Sequence, residues 1–274
     1  MNRQERRRQE KLRQKTLSDQ DLKNPQIMLE KGFAHQQAEE YAVANDLYGK
    51  VLAIDPENAD AHHMLGAIAY AEGEHQLAFD RITEALKIDE QNAGYWTNLG
   101  NALKELGRTD EAVKAYENAL AVNPEFTVAA FNLGNLYRED DQIDRAIFAY
   151  QRALEVDADY AEAWLNIGTA YHAKGDHDGA ETAYAKTVTL DPDYPDAHNN
   201  MGNLLIDMDR LDEAEASINK ALALAPEFPD AFFNLGKLAE ARGDKAAAQQ
   251  AYNQATELDP DFDDAKQALE KLDA

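Results

Sequence analysis

Trp96-Thr97-Asn98-Leu99-Gly100, Phe131-Asn132-Leu133-Gly134, Trp164-Leu165-Asn166-Ile167-Gly168, Asn200-Met201-Gly202 and Phe233-Asn234-Leu235-Gly236 are copies of one short phrase, and their spacing decides the fold. The glycines stand at 32, 66, 100, 134, 168, 202 and 236, every 34 residues without a gap. Twelve residues after each comes an alanine: Ala44, Ala78, Ala112, Ala146, Ala180, Ala214 and Ala248. Four further on sits a large apolar side chain: Tyr48, Ile82, Tyr116, Tyr150, Tyr184, Ile218 and Tyr252. Proline closes five of the units, at 56, 124, 192, 226 and 260.

Within each unit the apolar residues recur three and four apart, the period of an amphipathic helix, and two such stretches fit between successive prolines. Glycine and alanine are small at the points where two helices have to cross closely. Gly73, Gly107, Gly175 and Gly243 fall between the two helices, where a left-handed residue ends the first. Asp141 and Asp209 replace glycine there in two units, and aspartate visits that conformation more readily than most residues. The acids at unit junctions, such as Asp191-Pro192-Asp193-Tyr194-Pro195-Asp196, are expected to cap the next helix and suit its dipole.

This pattern resembles the tetratricopeptide repeat (TPR) family, whose signature places an aromatic residue, Leu-Gly, Tyr, Ala, Phe/Tyr, Ala and Pro at these offsets. The resemblance spans residues 25–262 as seven units starting at 25, 59, 93, 127, 161, 195 and 229. It implies an all-α fold, a right-handed TPR superhelix (α-solenoid) of seven helix pairs whose first helices line a concave channel. Residues 263–274 read as a C-terminal capping helix, with Ala265, Ala268, Leu269 and Leu272 on one face and Glu270 where the crossing glycine would stand. Asn24-Pro25 reads as an N-cap and first-turn proline.

Residues 1–24 differ in kind. They hold eight Lys/Arg against four Asp/Glu, so the remaining 250 residues carry −25 − 4 = −29. Leu12, Leu17 and Leu22 make a thin apolar stripe, so the segment reads as a solvated, frayed basic arm. Its sharper reading is a tether to RNA, an anionic membrane or an acidic partner. The acidic body repels nucleic acid and anionic membranes, which argues against general affinity for either. The N-terminus has no apolar stretch behind its arginines and the chain has no cysteine, so a cytoplasmic location and a monomer are expected.

Catalysis is not expected. The two serines, Ser18 and Ser217, have no nucleophile context, and the glycines are single rather than clustered in a phosphate-cradling loop. His172 and His177, near Asp176 and Asp178, straddle a helix end at no standard metal spacing. His62 and His198 occupy the aromatic packing position and read as core substitutions. No cofactor or metal is expected.

The resemblance places the second, fifth, sixth, ninth, twelfth and thirteenth residues of each unit on the channel. Nine of these 42 positions are asparagine: Asn98, Asn101, Asn132, Asn135, Asn166, Asn199, Asn200, Asn203 and Asn234, half of the 18 in the chain. The sixth position is asparagine in five successive units. A carboxamide both donates and accepts, so a ladder of them suits an extended protein segment read through its backbone. A similar ladder lines the TPR superhelix of the O-linked N-acetylglucosamine transferases, and Asn132-Leu133-Gly134-Asn135-Leu136-Tyr137 looks like those repeats. The competing reading is that these amides support neighbouring helices.

TPR domains that bind chaperone tails clamp a terminal carboxylate with lysine at the fifth position. Here that position carries Leu29, His63, Thr97, Phe131, Leu165, Asn199 and Phe233, and the second has Asp60, Glu162, Asp196 and Asp230. That function is not expected. The expectation is a non-catalytic scaffold for extended partner segments, with a substrate-recruiting subunit of a glycosyl- or methyltransferase as the alternative.

Overall fold

The computed structural model describes residues 21–273, and every regular element among them is helical. After a 3₁₀ turn at Asp21–Lys23 come fifteen α-helices. The first of each pair are α1 (Pro25–Gln37), α3 (Ala59–Ala71), α5 (Ala93–Glu105), α7 (Thr127–Glu139), α9 (Ala161–Lys174), α11 (Pro195–Asp207) and α13 (Pro229–Ala241). The second are α2 (Tyr41–Ile54), α4 (His75–Ile88), α6 (Thr109–Val122), α8 (Ile143–Val156), α10 (His177–Leu190), α12 (Leu211–Leu224) and α14 (Lys245–Leu258); α15 (Asp263–Asp273) follows. The described residues divide into two compact units, which part between residues 129 and 130. Within each, every helix packs on its sequence neighbour, and the first helices of successive pairs also touch: α1 with α3 and α3 with α5 in one unit, α9 with α11 and α11 with α13 in the other.

One crossing repeats in all seven pairs. The large residue sixteen positions after each crossing glycine lies flat on it: a methyl group at Gly32, Gly66, Gly100, Gly134, Gly168, Gly202 or Gly236 would fall within 2.7 Å of Tyr48, Ile82, Tyr116, Tyr150, Tyr184, Ile218 or Tyr252. Alanine there would force the ring and the helix apart, an overpacking cost of roughly 1–3 kcal/mol. All seven large residues are buried, as are the alanines four residues before them.

The turn between the helices is left-handed in every pair. Gly73, Gly107, Gly175 and Gly243 have φ of 71–80°, and Asp141 and Asp209 follow at 54° and 58°. The first pair uses Glu39 at φ 58°, a residue type with no short polar side chain to favour that conformation.

Two expectations are corrected in detail. The junction carboxylates mostly shape the turn rather than cap the next helix. Asp55, Asp89, Asn123, Asp157, Asp191 and Asp259 each accept the backbone N–H two residues on, at 2.9–3.3 Å, an Asx turn repeated at one register. Helix N-caps come instead from Asn24, Asn58 and Asn92 at the start of α1, α3 and α5, whereas Tyr194 and Phe228, ahead of α11 and α13, make no side-chain cap bond. His62 and His198 are only half-buried. Their Nε2–H groups donate to the Pro56 and Pro192 carbonyls at 3.0 and 2.9 Å, as the Trp96 and Trp164 indoles donate to Glu90 and Ala158 at 2.9 Å. In these four units the shared property of the position is a ring N–H reaching back to the junction.

The basic arm lies outside the described residues except for 21–24. There Leu22 packs against the cluster of Met28, Leu47, Val51 and Ala61. At the other end α15 packs on α14, with Ala265 fully buried. No helix among the described residues is long and apolar enough to cross a membrane.

Candidate functional site

The ladder asparagines lie on the first helices, and the structure separates them by how their amides are used. In residues 1–129, Asn98 Nδ2 donates to His63 Nε2 at 2.7 Å, and Asn101 Oδ1 accepts from the Tyr116 hydroxyl at 2.7 Å. His63 in turn stacks on Tyr95, with ring centroids 4.5 Å apart, and the Tyr95 hydroxyl donates to Asp60 at 2.5 Å. Burial pulls the His63 pKa down to about 4, against the opposing pull of Asp60, so the ring is neutral. An Nε2 that accepts from Asn98 places the ring proton on Nδ1.

In residues 130–274, Asn135 Oδ1 accepts two bonds, from the Tyr150 hydroxyl at 2.7 Å and from Asn166 Nδ2 at 2.9 Å. Burial raises the Tyr150 pKa to about 12, which keeps its hydroxyl a donor. Asn199 and Asn234 are both buried, and Asn234 Nδ2 donates to Asn199 Oδ1 at 2.8 Å. Asn203 Oδ1 accepts from the Lys237 ammonium at 2.5 Å. Asn132 and Asn200 are half-buried; Asn132 is engaged within the protein, whereas the Asn200 amide makes no side-chain hydrogen bond among the described residues.

Asn101 and Asn135, at the ninth position, therefore close over the tyrosine that lies on the crossing glycine, and Asn98, Asn166 and Asn234, at the sixth, reach to the preceding pair. This secondary role follows from the repeat itself: a tyrosine buried on glycine leaves its hydroxyl near the surface, and a carboxamide fifteen residues earlier satisfies it. Thr169 takes that place for Tyr184, at 3.4 Å. Among the described residues of 130–274, the amide groups left for a ligand include both groups of Asn200, the Oδ1 of Asn166 and the Nδ2 of Asn203.

Carboxylates flank this face. Glu162 and Asp196 are exposed, and burial raises the Asp230 pKa, with Asp196 and Asp259 adding to it. A face of this sign disfavours a terminal carboxylate. His172 pairs with Asp207 at 2.8 Å and stands edge-on to His177 at 5.9 Å; no group of three metal-ligating residues gathers among the described residues.

A family model described as Cilia and flagella-associated protein 70 C-terminal domain matches residues 87–272, and one described as Tetratricopeptide repeat matches residues 29–93. No curated protein matches the chain. Among solved structures, the chain is similar to a tetratricopeptide repeat protein from Parabacteroides merdae ATCC 43184, at 21% identity and a TM-score of 0.67, covering 91% of this chain and 99% of that one. It is also similar to YrrB, described as a TPR protein with an unusual peptide-binding site, at 22% identity and a TM-score of 0.56 over 68% of this chain and 96% of that one. PilW, a type IV pilus biogenesis factor, aligns at 21% identity and a TM-score of 0.68 over 77% of this chain and 98% of that one. These likenesses show the fold, and the longer family match shows the family: the chain belongs to the tetratricopeptide repeat proteins described as Cilia and flagella-associated protein 70 C-terminal domain.

Proposed function

We propose that the protein is a non-catalytic scaffold that holds an extended segment of a partner protein along the first helices of residues 130–274. The observation that carries this reading is the run Asn132, Asn166, Asn200 and Asn234, one asparagine per pair on α7, α9, α11 and α13, with the Asn200 amide making no side-chain hydrogen bond among the described residues. A carboxamide offers one donor and one acceptor to a peptide unit, so it reads backbone with little regard to sequence. The buried Asn199–Asn234 bond and the doubly occupied Asn135 carbonyl set the rungs of this face rather than contact the ligand. Glu162 and Asp196 bias it toward segments without a terminal carboxylate.

Selecting binders from a random-sequence peptide display library tests the proposal. Internal segments with no terminal-carboxylate requirement should be recovered, and they should lose affinity when Asn132, Asn166 and Asn200 are all replaced by alanine. Recovery only of peptides that bind the triple variant equally well would place the site elsewhere.

A further inference from the structure

A cavity of about 330 Å³ opens between α12, α13 and α14, at the lower end of the range for ligand pockets. Phe232, Leu235, Ala239, Ala247 and Ala251 give it an apolar floor, and Glu215, Arg242 and Asp244 stand around it. The other pairs show what this groove holds when it is filled. Counting from the start of each unit, the Arg108 side chain, from position 16, lies over Phe79 at 4.4 Å. Arg145, from position 19, lies over Tyr137 at 4.0 Å. Arg210, again from position 16, crosses to Glu181 of the preceding pair at 2.7 Å. In the pair α9–α10, where no arginine is available, Tyr171 at position 11 occupies the groove and its hydroxyl accepts from Gln151 at 3.0 Å.

The last pair lacks these fillers at positions 11, 16, 19 and 23; its one arginine, Arg242 at position 14, crosses to Glu215 of the preceding pair at 2.7 Å and stands at the wall of the cavity without closing it. Position 11 is Ala239, position 16 is Asp244, position 19 is Ala247 and position 23 is Ala251. The pair α3–α4 gives an intermediate case: Glu74 stands at position 16, Leu77 and Arg81 fill positions 19 and 23, and the equivalent cavity shrinks to about 150 Å³. The groove of the last pair is open because its own side chains are too short to close it.

We infer that this groove takes an arginine side chain from a partner protein, doing in trans what Arg108, Arg145 and Arg210 do within the chain. Charge agrees with that occupant. Arg242 donates to Asp212 and Glu215, both at 2.7 Å, so three carboxylates, Asp212, Glu215 and Asp244, surround one cation. Asp244 uses Oδ1 to cap α14, accepting from Ala247 N–H at 3.0 Å, and Oδ2 makes no hydrogen bond among the described residues. An arginine stem can lie along Ala247 and Ala251 while its guanidinium reaches Asp244, a fork that a carboxylate matches in two bonds. The site shares α13 with Asn234, but no asparagine of that face lines it, and it does not depend on the peptide-binding reading.

Amide NMR shifts of the full chain, titrated with N-acetyl-arginine N-methylamide, test this inference. Saturable shifts should appear at Ala239, Ala247 and Ala251, with the neutral citrulline and leucine analogues at least tenfold weaker. Asp244→Asn keeps a capping side chain and should weaken binding at least threefold. Ala247→Arg should fill the groove from position 19, melt no lower than wild type and abolish the shifts. No saturable shift, a citrulline or leucine analogue as strong as arginine, or an Ala247→Arg protein that melts well below wild type would each overturn the inference.

Discussion

Asn234 donates its side-chain N–H to Asn199 Oδ1 across 2.8 Å, and both residues are buried between α11 and α13. This bond joins two helices that are not consecutive in the chain. Its worth lies mainly in what its loss leaves behind. With Asn199→Leu the Asn234 amide keeps its burial and loses its acceptor, which costs about 1–3 kcal/mol. Replacing both residues by leucine removes the orphaned group, so the double variant should recover part of that loss. Urea denaturation of wild type, Asn199→Leu, Asn234→Leu and the double leucine variant measures the cycle, and additive single and double effects would show that the two amides are not coupled.

Glu39 is the natural target for stabilisation. Its φ of 58° costs an L-residue roughly 1–2 kcal/mol, and glycine removes that strain while adding flexibility to the unfolded chain. Glu39→Gly should therefore stabilise by about 0.5–1 kcal/mol. A raised melting temperature is the expected readout, and the same substitution at an ordinary helical position should lower it.

His63 makes stability depend on pH in a definite direction. Its pKa falls from an ordinary 6.5 to about 4 in the folded chain, first because of burial. Below pH 6.5 the unfolded chain binds a proton that the folded chain refuses, so this contribution is whole above 6.5 and is lost as pH falls toward 4. The loss amounts to about 3 kcal/mol at its limit. His63→Gln keeps an acceptor for Asn98 and removes the titration. The stability gap between wild type and variant should be flat above pH 7 and shift against wild type between pH 6.5 and 4.

The repeat was legible because its signals are categorical. A glycine that a methyl cannot replace, an aromatic residue sixteen positions later and a left-handed turn between them leave few substitutes, and all three recur at a fixed period. The candidate site was legible only as a set of positions. Asn166, Asn199 and Asn234 have the same residue type and nearly the same register, yet Asn166 keeps its carbonyl open while the other two are buried against each other. What separates them is the identity of the residue opposite at the fifth position of the preceding unit, Asn199 for Asn234 but Phe131 for Asn166, and that pairing is set between units rather than along the chain. The groove at α12–α14 was missed for a related reason. It is marked by what Ala239, Ala247 and Ala251 lack, and short side chains carry little signal until their counterparts in other pairs are seen to fill the same space.

Asn200 gives the sharpest test of the asparagine face, because its amide alone can be removed without cost to the protein. It makes no side-chain hydrogen bond among the described residues, and alanine is the better helix former, so Asn200→Ala should leave the melting temperature unchanged or slightly higher. If a bound peptide pairs with both its N–H and its C=O, the variant loses two neutral hydrogen bonds, each worth about 0.5–1.5 kcal/mol. Affinity should then fall by roughly fivefold to a hundredfold. Asn166→Ala should behave differently, since its Nδ2 also holds Asn135: it should lower both stability and affinity, each by about one hydrogen bond. Calorimetric titration with a peptide recovered from the display library, beside thermal melts of the same preparations, separates the two patterns. An Asn200→Ala protein that binds as tightly as wild type would remove this face as the site of recognition.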